Sequence, residues 1–337
     1  MPTTHDTFKR PLRDLRISII DKCNFRCPYC MPAEIFGADY NFLRKDERLS
    51  VAEIVRLAHL FVQVGVTKLR ITGGEPLIHP QLISIVEQLV AIPGLQDLAL
   101  TTNGFYLPQH ATALRDAGLH RLTISFDALD EDIFQTMNGN RGTAAQVLAG
   151  FAAAEEAGFG PIKINCVVKK GINESQILPL AEHFRDTGHI LRFIEYMDVG
   201  NLNGWRLDDV VPAQTIIDTI NAKHPLTPIP PNYPGEVANR YRYADGRGEI
   251  GLIASVSKPF CGSCSRARLS SAGEYYTCLF AYKGLDLRAP LRQGASDDEL
   301  IAIITHRWQK RTDRYSELRT SFTELPDKGA EMYRLGG

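Results

Sequence analysis

Six of the seven cysteines in this 337-residue chain fall into two triplets, Cys23/Cys27/Cys30 and Cys261/Cys264/Cys278, while Cys166 stands alone. The first triplet is a C-x3-C-x2-C run, Cys23-Asn-Phe-Arg-Cys27-Pro-Tyr-Cys30. Thiolates at that spacing can hold three corners of a cubane [4Fe–4S] cluster and leave the fourth iron open to a chelating cofactor. A zinc site is the main alternative, but it wants a fourth ligand, and the histidines closest in sequence are His5 and His59. The second triplet, C-x2-C-x13-C, again offers three ligands and no obvious fourth, whereas a structural zinc ribbon would show C-x2-C twice. In a reducing compartment clustered cysteines bind metal or do redox chemistry rather than form disulfides. Arg266 and Arg268 follow Cys264 closely. Two apart in an extended segment, they point the same way, with planar forks suited to phosphate oxygens. Cys166 reads as a small buried hydrophobe.

The elements that must position these residues alternate from about residue 16 to 200. Strands are expected at Arg16–Asp21, Lys68–Thr72, Leu98–Thr102, Arg121–Phe126, Lys163–Val168 and Leu191–Tyr196, all short and rich in Ile, Leu, Val, Thr or Phe. Helical patterns separate them, among them Val51–Val64, which opens on a Ser50/Glu53 capping box and closes near Gly65. Leu82–Ala91, Thr143–Ala157 and Glu174–Thr187 read the same way. Six β-then-α units imply parallel strands with right-handed crossovers. Polar or glycine-rich residues follow strand after strand: the cysteine loop, Gly73-Gly74-Glu75, Thr102-Asn103-Gly104, Asp127 and Met197-Asp198. That placement favours a partial (βα)6 barrel of TIM type, whose chemistry collects at the C-terminal rim, over a doubly wound sheet. Asn103 and Asp127 at this rim are assigned to structural hydrogen bonds. His224–Pro234 carries five prolines and reads as a connecting segment. Beyond it lie short, mostly antiparallel strands around the second triplet and a helix near Asp297–Lys310. The division expected is a barrel over 1–222 and a smaller C-terminal domain over 223–337.

C-x3-C-x-aromatic-C, with Tyr29 as the aromatic, followed one βα unit later by Gly73-Gly74-Glu75-Pro76, resembles the radical S-adenosylmethionine superfamily. The resemblance implies that the methionyl amino and carboxylate groups bind the open iron. An electron from the cluster then cleaves the sulfonium and releases a 5′-deoxyadenosyl radical. Gly73 and Gly74 are expected to line the methionyl end, since glycine lets a backbone approach a ligand closely. Both triplets, Cys30-Met31-Pro32, the run Arg-Phe-Ile-Glu-Tyr-Met at 192–197 and the closing Gly336-Gly337 together resemble, over nearly the whole chain, the GTP 3′,8-cyclases of molybdenum cofactor biosynthesis. That likeness implies two [4Fe–4S] clusters and abstraction of the 3′ hydrogen of GTP. Attack of the sugar radical on C8 then gives (8S)-3′,8-cyclo-7,8-dihydroguanosine 5′-triphosphate. Carried over position by position, it implies S-adenosylmethionine contacts at Tyr29, Gly74, Ser125 and Met197. It implies GTP contacts at Arg16, Arg70, Thr101, Lys163 and Arg266-Ala267-Arg268, and a tail, Gly336 and Gly337, acting inside the active site. An electron donor such as flavodoxin or ferredoxin, the next enzyme of the molybdopterin pathway and a homodimer are implied as partners.

Charge agrees with a triphosphate. Arg16, Arg70, Lys163, Arg266 and Arg268 supply positive charge against a ligand of about four negative charges. The net charge of the whole chain is only -1, which excludes the basic field of a general nucleic-acid binder. No window approaches a membrane span, and the opening residues lack the order of a signal peptide, so the expected address is the cytoplasm. Two rivals remain at this level: a peptide-modifying radical enzyme with an auxiliary cluster, and a non-catalytic zinc-binding scaffold. The tail taken alone reads as frayed, with little apolar surface to bury.

Overall fold

The computed structural model describes residues 3–319 and 330–336. Six strands run parallel and adjacent in chain order: β1 (Asp14–Ser18), β2 (Lys68–Thr72), β3 (Asp97–Thr102), β4 (Arg121–Ser125), β5 (Lys163–Val168) and β6 (Ile190–Glu195). Helices cross between them, so the alternation expected from the apolar runs is present. The helix Val51–Gln63 starts as its capping box requires: Ser50 Oγ accepts the Glu53 N–H and the Glu53 carboxylate accepts the Ser50 N–H. It buries Ile54, Leu57, Ala58 and Phe61. Full burial of one such large apolar side chain contributes about 1.5–3 kcal/mol. Leu107–Asp116, Glu131–Asn138 and Ala213–Asn221 are further helices that were not singled out from the sequence.

β1 ends at Ser18, three residues sooner than expected. The carbonyls of Ile20 and Lys22 receive the N–H groups of Gly74 and Glu75 instead of a ladder partner, and this peels the chain off the sheet into the cysteine loop.

The C-terminal half does not form a sheet of its own. β7 (Leu226–Ile229), β8 (Asn239–Tyr243) and β9 (Glu249–Ile253) extend one edge, and β10 (Arg266–Leu269), β11 (Glu274–Tyr276) and β12 (Leu285–Asp286) extend the other. The result is one twelve-stranded sheet in the order β12-β11-β10-β1-β2-β3-β4-β5-β6-β9-β8-β7. β9 lies parallel to β6 and β10 parallel to β1, while the outer pairings are antiparallel. β7 occupies part of the proline-rich segment read as a connection. Pro228 can sit opposite Tyr241 because β7 is an edge strand, where a missing N–H costs no ladder bond.

Along each inner strand the faces alternate. Leu15 and Ile17, Leu69 and Ile71, Leu191 and Phe193, and Ala267 and Leu269 belong to the buried core. Arg16, Lys68, Arg70, Arg192, Arg266 and Arg268, between or beside them, line a cavity. No helix among the described residues is long and apolar enough to cross a membrane.

Candidate active site

The first triplet sits on the loop after β1. Cys27 O accepts the N–H of Cys30 (2.9 Å) and of Met31 (2.8 Å), closing a tight turn that brings Cys27 and Cys30 together. The Arg26 guanidinium ties the loop internally, donating to the carbonyls of Cys23, Phe25 and Phe36. Asn103 Nδ2, at the end of β3, donates to Asn24 Oδ1 (2.7 Å). Gly73 and Gly74 explain why the loop can lie where it does. A β-carbon on either would collide with the Ile20 or Lys22 carbonyl, so these glycines admit the cysteine loop itself rather than only a ligand. Glu75, buried behind them, accepts from Thr102 Oγ1 (2.7 Å) and from the N–H groups of Asn103 (2.7 Å) and Leu77 (2.9 Å). Burial nevertheless pushes its carboxyl up to about 7.

The rim residues are distributed as the strand ends dictate. Tyr29 follows β1, Gly74 follows β2, Ser125 closes β4, and Met197 lies two residues past β6 at the cavity wall. The Tyr29 hydroxyl is engaged, donating to Asp127 Oδ2 at 2.7 Å, while Asp127 Oδ1 accepts the Val167 N–H at 2.8 Å. Asp127 thus makes structural hydrogen bonds, as does Asn103. Cys166 is fully buried in the core beneath Asp127.

A cavity of about 1400 Å³, its open mouth included, lies against the inner strands of the sheet. Arg16, Arg70, Thr101, Lys163, Arg266 and Arg268 all line it. The register is unusual, because Arg16 stands directly between Arg268 of β10 and Arg70 of β2. Like charges opposite one another on neighbouring strands are destabilising unless something anionic is shared between them. The side chains show the strain. Arg16 is held well below its ordinary range by burial and by Arg268 and Arg70. Burial and Arg266 lower Arg268 to about 10. Because a guanidinium keeps its proton, these displacements measure repulsion that a polyanion would relieve. The Nε atoms of Arg16, Arg192 and Arg268 are buried with no hydrogen-bond partner among the described residues.

Four cavity cations escaped sequence reading: Lys68, Arg121, Arg192 and Arg311. Arg192 on β6 bonds Asn165 Oδ1 at 2.6 Å, and burial followed by Arg70 lowers it to about 9. Lys68 on β2 places its ammonium 3.5 Å from the centre of the Tyr233 ring. The available signal was a cation at an alternate position of an otherwise apolar strand, as in Leu191-Arg192-Phe193. Ala267, by contrast, is fully buried in the core and does not line the cavity.

The second triplet closes another wall of the same cavity, which Cys261, Cys264 and Cys278 all line. Burial would raise the Cys264 thiol, but Arg266 and Arg311 overcome it and bring it down to about 6. Arg266 Nη2 lies 3.3 Å from Cys264 Sγ, so this arginine serves the thiolate as well as the cavity. Burial and Asp313 push Cys278 up to about 12. Among the described residues no group of three His, Cys, Asp or Glu side chains converges on a single-ion site. A cubane is instead held at separate iron corners. The donor sets suit it: three thiols on one loop close enough to shift one another, and three on a wall braced by arginines.

Tyr333 and Leu335 of the tail are fully buried, contrary to the expectation of little apolar surface. Tyr333 packs on Met31 and Phe36 beside Cys23 and Cys30, and its hydroxyl meets that of Tyr40 at 2.8 Å. Leu335 packs on Tyr276 beside Leu279. Gly336 has φ +68° and sits so close to Thr72, at the end of β2, that a β-carbon would overlap its side chain. Gly337 lies outside the described residues.

A partial barrel of six parallel strands with C-x3-C-x2-C on its first loop is the architecture of a class, and the Radical SAM superfamily family model matches residues 17–184. The Molybdenum Cofactor Synthesis C model matches residues 189–317. The chain is 54% identical over 332 residues to a GTP 3′,8-cyclase of Xanthomonas campestris pv. campestris, covering 98% of this chain and 97% of that one. It is 54% identical to the GTP 3′,8-cyclase of Acidothermus cellulolyticus (93% and 88% covered) and 47% identical to that of Staphylococcus haemolyticus (98% of each). In fold it is similar to Streptococcus suis SuiB bound to precursor peptide SuiA, with a TM-score of 0.62 at 13% identity, covering 94% of this chain and 68% of that one. The chain therefore belongs to the GTP 3′,8-cyclase family of radical S-adenosylmethionine enzymes. With that family come S-adenosylmethionine and two [4Fe–4S] clusters.

Proposed function

We infer that this chain converts GTP into (8S)-3′,8-cyclo-7,8-dihydroguanosine 5′-triphosphate, the first step of molybdenum cofactor biosynthesis. The observation that carries the reading is the in-register row Arg268–Arg16–Arg70 in a cavity walled by the second triplet and bordered by Met197, just past β6. When bound, the clusters and S-adenosylmethionine supply the one-electron chemistry that removes a hydrogen atom from the ribose.

The protein's own residues do the rest. Cys23, Cys27 and Cys30 hold the first cluster, and Cys261, Cys264 and Cys278 the second. Tyr29, Gly74, Ser125 and Met197 bound the S-adenosylmethionine position along the rim. Arg16, Arg70, Lys163 and Arg268, joined by Lys68 and Arg192, clamp the triphosphate, while Thr101 accepts an Arg70 N–H at 3.1 Å and sets that fork. The backbone of Ala267 and the side chain of Arg266 border the second cluster. Binding remote phosphates in this way holds the ribose near the rim, and such positioning can supply a large share of a rate enhancement. A peptide substrate would have no use for a buried row of cations, which sets the peptide-modifying alternative aside. We place the enzyme in the cytoplasm, where thiols stay reduced. A flavodoxin or ferredoxin is its electron source, the next enzyme of the pathway consumes its product, and it works as a homodimer. Anaerobic reconstitution followed by GTP, S-adenosylmethionine and dithionite tests the central claim. Both 5′-deoxyadenosine and a cyclised nucleotide are expected, and cleavage of S-adenosylmethionine with GTP recovered unchanged would overturn it.

Two further outcomes follow from the cations. Arg268→Ala weakens GTP binding by roughly ten- to a hundredfold, the usual size of a charge-assisted contact, and leaves guanosine binding nearly unchanged. Arg266→Ala does the same to GTP and also loosens the Cys264 thiolate. Equal losses for GTP and guanosine at Arg268 would mean that it holds structure instead.

The second outcome concerns pH. Burial, then Arg192, Arg121 and Arg70, pushes the Lys163 ammonium down to about 8. A bound triphosphate favours the charged form and raises that value. Below about pH 8 the lysine already carries its proton and affinity is full. Above it, binding must take up a proton, so affinity falls with rising pH by up to about tenfold per unit. Calorimetry in buffers of different ionisation heat should show that uptake, and Lys163→Met should abolish it along with the pH dependence.

A further inference from the structure

The loop of the second triplet is gripped by side chains that the nucleotide reading does not use. Arg10 Nη1 donates to the carbonyls of Cys261 (2.8 Å) and Asp313 (2.9 Å). Arg311 Nη1 donates to the carbonyl of Cys264 at 2.7 Å. Both guanidiniums share one carboxylate: Asp6 Oδ2 lies 2.6 Å from Arg10 Nε and 3.4 Å from Arg311 Nη1. Asp6 is itself pinned, its Oδ1 accepting the N–H groups of Phe8 and Arg10, each at 2.9 Å. Trp308 completes the frame, its Nε1–H donating to Arg10 O at 3.1 Å and its ring lying 4.4 Å from the Arg311 guanidinium. Asp6, Arg10 and Arg311 are exposed by only 7, 2 and 4%.

Stability does not account for this arrangement. A buried ion triad is often no more stabilising than apolar side chains of the same volume, because desolvating three charges offsets their attraction. A second carboxylate joins the group, since Asp313 Oδ2 lies 3.5 Å from Arg311 Nε and the Asp313 carbonyl is one of the two that Arg10 holds. Arg10 keeps Nη2 buried with no hydrogen-bond partner among the described residues. What the triad does achieve is geometric, since it fixes the main-chain carbonyls of two of the three cysteines from opposite sides of one carboxylate.

We propose that Arg10 and Arg311, joined by Asp6, are positioning residues for the second iron–sulfur cluster, holding Cys261 and Cys264 in ligating register. The proposal rests on the two-cluster reading and assigns it a brace formed largely by the N-terminal segment. Outer-shell partners of metal ligands typically change metal retention by about ten- to a hundredfold.

The test uses the reconstituted full-length holoenzyme. Arg10→Lys and Arg311→Lys keep the charge but cannot span both the carboxylate and the carbonyls that each arginine joins. In either variant a chelator should remove half of the iron at least about tenfold faster than from the unsubstituted enzyme, with the other half unaffected. The electron paramagnetic resonance signal of the reduced second cluster should shift while that of the first does not. S-adenosylmethionine cleavage uncoupled from GTP should persist. Release of iron at the unsubstituted rate with an unshifted signal in both variants would overturn the proposal. So would loss of both halves together with the fold, which would make these side chains general scaffold. Cys261/Cys264/Cys278→Ala serves as the control: full iron there would refute the two-cluster reading itself, and half iron there with unaffected lysine variants would refute only the brace.

Discussion

Replacing Cys23, Cys27 and Cys30 together by alanine abolishes S-adenosylmethionine cleavage and leaves about half the iron. The three thiols lie on one loop, and each is pushed up in pKa by burial before any other cause, so metal binding there must release their protons. The second triplet lies on a separate wall with its own bracing, so its iron should survive the loss of the first. The converse variant, Cys261/Cys264/Cys278→Ala, also retains about half the iron, but some uncoupled S-adenosylmethionine cleavage continues because the first loop is intact. Iron and sulfide analysis with quantification of 5′-deoxyadenosine decides the matter. Full iron in either triple variant would rule out two independent clusters. The loop itself should remain folded, since Arg26 and the Gly74 and Glu75 N–H groups hold its backbone without help from sulfur.

Deleting Gly336 and Gly337 lowers formation of the cyclised nucleotide by at least about two orders of magnitude, the usual cost of misplacing a reacting group, while both clusters, thermal stability and GTP binding stay nearly intact. The tail is docked by other residues: Tyr333 against the first cysteine loop and Leu335 against β11 near the second. Removing the two glycines leaves these anchors in place. Gly336 turns with φ +68° onto Thr72, where any side chain would overlap, so Gly336→Val should cost nearly as much activity as the deletion. Leu335→Ala differs in kind. It empties a buried site and costs about 2–5 kcal/mol of packing where the site cannot collapse, so it should release the tail and lower the thermal midpoint as well. A deletion variant with full cyclisation would return the glycines to an ordinary chain end.

Much of the site was legible because its signals are local. The thiol triplets are spacing patterns, and a cubane's demand for three ligands on a short loop is met within eight residues, Cys23 to Cys30. The six parallel strands were legible because apolar runs of strand length between helical patterns leave few other topologies. Arg192 was overlooked although it obeys the alternation that puts Arg16 and Arg70 in the cavity, because one cation in an apolar strand does not announce which face is open. Ala267 faces the other way: its neighbours line the cavity, and a period of two turns its side chain toward the core. β7 was hidden by its prolines, which only an edge position tolerates.

By itself the amino-acid sequence determined which atoms could ligate iron, which residues alternate across each strand, and where the rim of the sheet would carry its polar groups. All of these depend on covalent spacing and strand geometry over a few residues. The tertiary structure alone decided that β10 docks parallel to β1, which sets Arg268 beside Arg16 and brings the second triplet to the wall of the cavity that the arginines line. It also decided that Arg10 reaches the Cys261 carbonyl, and that the tail is seated by Tyr333 and Leu335. Those pairings join segments far apart in the chain. They are selected by burial of apolar faces across the closing sheet, a property of the whole packed core that no local pattern encodes.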